Sequence, residues 1–197
     1  MSSQSNETFT AITANGSSSA HSCPGLVQTV DVYLDDASVW DTATMVLESS
    51  VDGSNWVAVP SASWTSGLGY LGTVTVFGGQ LRVTVSSVGA GTSLIPTVTA
   101  VAQSGAVAES LTLTANGTTA VQLPRRGPFQ LFVAGTWDSG SLTVDESPDG
   151  TLYVEAVAAI TADGGSYYAN AGDNHLLNVV LASVVTAADL DLVIVSV

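Results

Sequence analysis

The sequence predicts an all-β protein of two tandem β-sandwich domains, jelly-roll or immunoglobulin-like in type. Three observations lead there: an internal repeat spanning both halves of the chain, apolar residues alternating with polar ones, and turn residues at short intervals. The repeat begins at Ile12-Thr13-Ala14-Asn15-Gly16, which recurs as Leu113-Thr114-Ala115-Asn116-Gly117. Pro24 then matches Pro124, and Gln28 matches Gln130. Trp40-Asp41, Thr44, Leu47, Ser50, Asp52-Gly53, Trp56 and Val57 align without gaps with Trp137-Asp138, Ser141, Val144, Ser147, Asp149-Gly150, Tyr153 and Val154. Two copies of so long a unit mean tandem domains, since a solenoid stacks many short repeats. The domains are 1–102, with a short N-terminal arm, and 103–197, with the boundary in Gln103-Ser104-Gly105-Ala106.

Taken in order, Thr29–Leu34 and Ala43–Glu48 alternate apolar with polar or small residues, the period of a half-buried strand. Asp52-Gly53, and Pro148-Asp149-Gly150 in the second copy, are turns, because Asp and Gly accept positive φ and Pro presets the bend. Trp56–Val59 and Tyr153–Val157 return as the partner strands. Thr73–Phe77, Leu81–Val85 and Ile95–Val101 complete the first domain. Leu176–Leu181 and Leu190–Val197 follow in the second, after a polar, Gly-rich loop from Asp163 to Asn174 around Tyr167-Tyr168. Trp40 with Trp137, and Trp56 with Tyr153, hold matched places beside apolar strand residues and are expected to be core anchors. The closing strand carries one charge, Asp191, so it must be central in its sheet or covered by a partner.

Composition narrows the function. The 197 residues hold 17 acidic side chains against three arginines and no lysine, a formal net charge of −14. Only 10% of residues are charged, where an average protein has roughly a quarter. Without a basic cluster the chain is expected to bind neither nucleic acid nor an anionic membrane. No apolar run approaches the roughly 20 residues of a membrane span. The start, MSSQSNETFT, has neither a basic n-region nor an apolar h-region, so no secretory signal is expected. The single cysteine, Cys23, has no internal disulfide partner.

No constellation of an active site emerges. His21-Ser22-Cys23 lacks the further ligands a structural zinc needs, and His175 precedes a strand as a surface residue. Asp35-Asp36 and Asp145-Glu146 are adjacent carboxylates, but neighbours on a strand point to opposite faces and do not converge on a substrate. Asp41, Asp52, Asp138, Asp149 and Asp173 sit in loops, yet without the regular ligand spacing of a calcium loop. Gly67-Leu68-Gly69 and Gly89-Ala90-Gly91 open no helix and precede no lysine, so they cradle no phosphate. The expectation is no catalytic residue, no metal and no cofactor. Trp64, Tyr70, Tyr167 and Tyr168 are left as candidate surface aromatics.

The repeated unit, Trp40 through Leu47, Ser50-Val51-Asp52-Gly53 and Trp56-Val57, and again Trp137 through Val144, Ser147 to Gly150 and Tyr153-Val154, resembles small β-sandwich modules of tailed-bacteriophage structural proteins. Gly79–Val85 is similar to the strand that follows in such modules; the second copy has Leu176-Leu177-Asn178 in place of its arginine strand. The resemblance implies a non-enzymatic virion protein, made in the host cytoplasm, that binds and stabilises the capsid exterior as a decoration or cement protein. Its partners would be the major capsid protein or other virion proteins, and its own state a homo-oligomer, a trimer by analogy. The charge of −14 suits the side of a shell that faces away from DNA. Expected interface residues are Met1, Ser2, Ser3 and Gln4, in an arm that orders on a partner, Arg125 and Arg126, and Tyr167 and Tyr168. The alternative is a tail or fibre component that binds a host glycan through the surface aromatics.

Overall fold

The computed structural model describes residues 3–123, 128–147, 150–168 and 176–196. The chain divides into two compact units, Met1–Ser104 and Gly105–Val197. In the first run β1 (Gln4–Thr8), β2 (Gly16–Ser17), β3 (His21–Ser22), β4 (Val27–Leu34), β5 (Thr44–Ser50), β6 (Val57–Trp64), β7 (Gly69–Phe77), β8 (Gln80–Ser86) and β9 (Pro96–Ala102). In the second run β10 (Val107–Leu113), β11 (Gly117–Gln122), β12 (Phe129–Thr136), β13 (Ser141–Ser147), β14 (Val154–Ile160), β15 (Gly164–Tyr168), β16 (Leu176–Ala182) and β17 (Asp189–Ser196).

The first unit pairs β1-β9-β4-β7 in one sheet and β2-β8-β5-β6 in the other, with β3 also on β8. The second pairs β10-β17-β12-β15 and β11-β16-β13-β14. With β2 and β3 counted as one strand, both orders read first–eighth–third–sixth and second–seventh–fourth–fifth. That is the connectivity of an eight-stranded jelly roll, not the seven-stranded split of an immunoglobulin sandwich.

Each core lies between its own two sheets and is filled by alternate strand residues. Val30, Val32, Leu34, Met45, Leu47, Leu81, Val83, Val85 and Val98 are buried together in the first unit. Phe129, Leu131, Val133, Leu142, Val144, Leu177, Val179, Leu181, Leu190, Leu192 and Ile194 do the same in the second.

Several expectations are corrected by register. Residues 4–7 of the expected arm, Met1 to Glu7, together with Thr8 form β1, paired from Gln4↔Val101 to Thr8↔Thr97, so they order on their own sheet. The closing strand, by contrast, is central in its sheet as expected: β17 lies between β10 and β12, so its apolar edges are covered. The start of the expected Gly-rich loop is strand β15, because β12 offers it a backbone ladder from Gly164↔Val133 to Tyr168↔Phe129 that outweighs weak local propensity. Gln28 and Gln130 are not equivalent. Gln28 shares the parity of core residues Val30 and Val32, whereas Gln130 alternates with Phe129 and Leu131, so the two face opposite sides of their sheets.

Candidate functional site

Two of the repeated motifs, Trp-Asp and Asn-Gly, converge on the same loops in each jelly roll. Trp40-Asp41-Thr42-Ala43 is a tight turn closed by Ala43 N–H to Trp40 O (2.8 Å), with φ of 33° at Asp41 and 70° at Thr42. Its repeat closes from Gly140 N–H to Trp137 O (2.6 Å), with φ of 42° at Asp138 and 63° at Ser139. Paired positive φ values match the right-handed twist of flanking strands but strain residues with a Cβ. The aspartate compensates by tying down the loop before the last strand. Asp41 Oδ2 accepts Gly91 N–H (2.6 Å). Asp138 Oδ2 accepts both the amide and the hydroxyl of Thr186 and the Ala187 amide, and these bonds hold its carboxyl below the ordinary carboxylate range.

The Asn-Gly motif joins the same loops. Asn15 Oδ1 accepts Val88 N–H (3.0 Å), and Asn116 Oδ1 accepts Val184 N–H (2.8 Å). The indole of Trp40 donates to Gly67 O (2.6 Å), and that of Trp137 to Asp163 Oδ1 (2.8 Å). Both tryptophans are half-buried and pack on the rim of the core, not centrally between the sheets as expected, because the indole N–H reaches outward to a loop. Replacing either by alanine is expected to cost about 2–3 kcal/mol, below the roughly 3–5 kcal/mol of a fully buried tryptophan. Chemical denaturation of W40A and W137A checks this, and unequal losses would contradict their shared setting.

Ser-x-Asp-Gly works at a different turn. Ser50 Oγ accepts Gly53 N–H (2.9 Å), and Ser147 Oγ accepts Gly150 N–H (2.8 Å). Partial burial pulls the Asp52 carboxyl upward, but the Asn55 and Ser54 amides and the Asn55 and Ser50 side chains outweigh it and set it at about 2. A carboxyl lowered on folding adds stability that is complete above its ordinary range and fades as pH falls through the folded value. Between pH 4 and 2 the wild type should therefore lose up to about 1 kcal/mol more than Asp52→Asn, a modest effect because the group is exposed. Equal acid melting of the two would contradict it.

The other sequence candidates are accounted for as follows. Met1, Ser2, Arg125, Arg126, Asp149, Asp173 and His175 lie outside the described residues. Ser3 and Gln4 are exposed at the head of edge strand β1. Tyr167 and Tyr168 pair by backbone with Gln130 and Phe129. Asp35 Oδ1 caps its own turn by accepting Ala37 N–H (2.8 Å). Asp145 and Glu146 follow one another on β13. Trp64 packs against the core and is no surface aromatic, whereas Tyr70 is exposed. Trp56 is no core anchor; it lies under Arg82, whose guanidinium carbon is 4.4 Å from the ring centroid. Arg82 Nε also bonds Glu48 Oε2 (2.6 Å), opposite it in register, so this arginine is engaged within the sheet.

One cluster had no local signal in the sequence. His21 Nε2 lies 3.1 Å from Ser5 Oγ, and His21 Nδ1 lies 3.5 Å from Glu7 Oε2. That is the contact order of nucleophile, base and orienting acid. Its setting is structural: β1 is an edge strand of one sheet and β3 an edge strand of the other, so the histidine side chain, 13% exposed, bridges the open side of the sandwich. Beside it, burial pushes the Cys23 thiol up to about 12, which keeps it protonated and unreactive. Among the described residues no group of three or more His, Cys, Asp or Glu is placed to hold a metal, and no helix is long and apolar enough to cross a membrane.

No family model and no curated protein matches this chain. Among solved structures, the PBSX exported protein XepA is similar at 11% identity and a TM-score of 0.36, over 98% of this chain and 86% of that one. A structure described as the triple jelly roll fold and turret assembly in an archaeal virus is similar at 10% identity and a TM-score of 0.30, over 96% and 58%. The N-glycanase PNGase F is similar at 8% identity and a TM-score of 0.40, over 96% and 95%. All three TM-scores fall below 0.5, so these likenesses carry no argument about what the chain does.

Proposed function

We propose that the chain is a non-enzymatic structural protein of a tailed-phage virion that binds the outer surface of the capsid and stabilises it as a decoration protein. The observation that carries this reading is where the repeated residues go. Trp-Asp, Asn-Gly and Ser-x-Asp-Gly are each spent on closing turns and clasping loops, so duplication preserved a rigid scaffold and not a reaction centre. A charge of −14 with no lysine favours the exterior of a shell, away from packaged DNA. The partner is the major capsid protein, and the chain acts as a homo-oligomer, a trimer by analogy with the modules it resembles. Val154 at the head of edge strand β14 and Leu152 just before it, 59% and 65% exposed, and Gln4 at the head of β1 with Ser3 just before it, are the described residues that would meet neighbours.

The test is to add purified protein to shells that lack it, then sediment both and count copies. Saturable binding at hundreds of copies, with shells that resist heat better, supports the reading. A monomer that leaves shells unbound overturns it.

A further inference from the structure

We propose that the outward face of the β1-β9-β4-β7 sheet binds a neutral oligosaccharide, stacking one sugar ring on Tyr70 and Tyr33 and holding its hydroxyls through Asp31. Tyr33 and Tyr70 stand opposite each other on β4 and β7, 39% and 56% exposed. Their ring centroids are 5.3 Å apart and their planes tilted by 54°, so the two form one exposed aromatic patch. Large aromatic side chains are ordinarily buried for most of their area, so an exposed pair is informative.

The pair is held in place before any ligand arrives. Thr73 Oγ1 donates to Asp31 Oδ1, so the Tyr70 hydroxyl, 2.5 Å from Thr73 Oγ1, is the donor to Thr73. Reaching a residue three positions along makes the Tyr70 ring run beside its own strand. The register shift between Val32 and Tyr33 is what sets Tyr70 opposite Tyr33 on this face. A ring pinned at both ends loses little rotamer freedom on binding. Among the described residues Asp31 Oδ2 has no partner, so it is available to accept sugar hydroxyls.

Register extends this corner into a strip. One row runs Tyr70, Tyr33, Thr97 and Thr8 across all four strands, and the next runs Thr73, Asp31, Thr99 and Asn6. Three strand spacings of about 4.8 Å give a strip roughly 14 Å long, aromatic at one side and lined by hydroxyl and amide groups towards the other. Amphipathic sugar rings match that surface: C–H faces stack on aromatic rings while hydroxyls bond the polar rows. A strip with one carboxylate and no cation, on a chain of net charge −14, selects against uronic and sialic acids. In the second unit the central strand β12 presents Ala134 and Thr136 outward, so this pairing of an aspartate with a tyrosine on that strand belongs to the first unit.

The experiment is an array of maltohexaose, cellohexaose, N-acetylchitohexaose and a galacturonate hexamer, followed by calorimetric titration of any hit with wild-type protein, Tyr70→Ala, Tyr33→Ala and Asp31→Asn. The expected result is binding of at least one neutral probe, weakened about tenfold or more by either tyrosine variant and about threefold or more by Asp31→Asn, with the acidic probe unbound. Tyr33 and Tyr70 are exposed and Asp31 is half-buried, so unchanged melting checks that the variants fold. Absence of binding to every probe, equal binding by the tyrosine variants, or preference for the galacturonate hexamer would overturn the proposal. Capsid binding retained by Tyr70→Ala keeps this outcome separate from the proposed virion role.

Discussion

Gly135→Ala is expected to destabilise the second unit by more than about 3 kcal/mol. Gly135 stands near the end of β12 at φ +141°, a conformation side chains with a Cβ rarely adopt. An added Cβ would lie 2.0 Å from the Asp189 carbonyl oxygen and 3.1 Å from Leu190 Cα, both backbone atoms. Those atoms belong to β17, which is held on its other side by β10, so the strand has nowhere to retreat. Gly79→Ala is the matched control: nothing lies within 4 Å of its added Cβ, and a change within about 0.5 kcal/mol is expected. Calorimetric melting of both variants decides the matter. A Gly135→Ala protein that melts with the parent would show that the end of β12 is looser than its register implies.

Leu47→Ala should cost about 3–4 kcal/mol, within the range for a leucine deleted from a packed interior. Leu47 is fully buried at the centre of β5, between β8 and β6, and packs into the first unit's apolar core. Leu177→Ala, equally enclosed on β16, is the corresponding deletion in the second unit. Three of the four tryptophans, Trp40, Trp56 and Trp64, report on the first unit, and Trp137 reports on the second. Denaturant unfolding followed by fluorescence should therefore shift the larger part of the signal in Leu47→Ala and the smaller part in Leu177→Ala. Losses under about 1 kcal/mol would mean that these cores collapse around the gap.

What the sequence made legible was whatever is encoded locally. Asp-Gly announced a turn because its backbone angles are set by the residues themselves, and period-two runs such as Thr29–Leu34 announced strands because burial alternates along them. What it hid depends on register between distant segments. Ser5, Glu7 and His21 are separated by turns and loops whose lengths give no warning that β1 and β3 meet across an open edge. Tyr33 is one residue in an apolar strand until the β4–β7 bulge sets it opposite Tyr70. The mismatch of Gln28 with Gln130 has the same origin: one residue of slip leaves the letters aligned and reverses the face. Trp64 shows the converse, since an aromatic beside Gly and Ser residues reads as surface until β6 carries it onto the core.

In each unit the first strand lies against the last. Ser3 O accepts Ala102 N–H at 3.0 Å, and Val107 stands opposite Ser196. The point where the chain enters a jelly roll is therefore beside the point where it leaves. A module wired in this way can be copied head to tail, or inserted into a host loop, without rethreading a single strand. It should likewise tolerate circular permutation: a short linker joining the two ends of one unit, with new termini cut in an exposed turn, ought to preserve every ladder of the sheet.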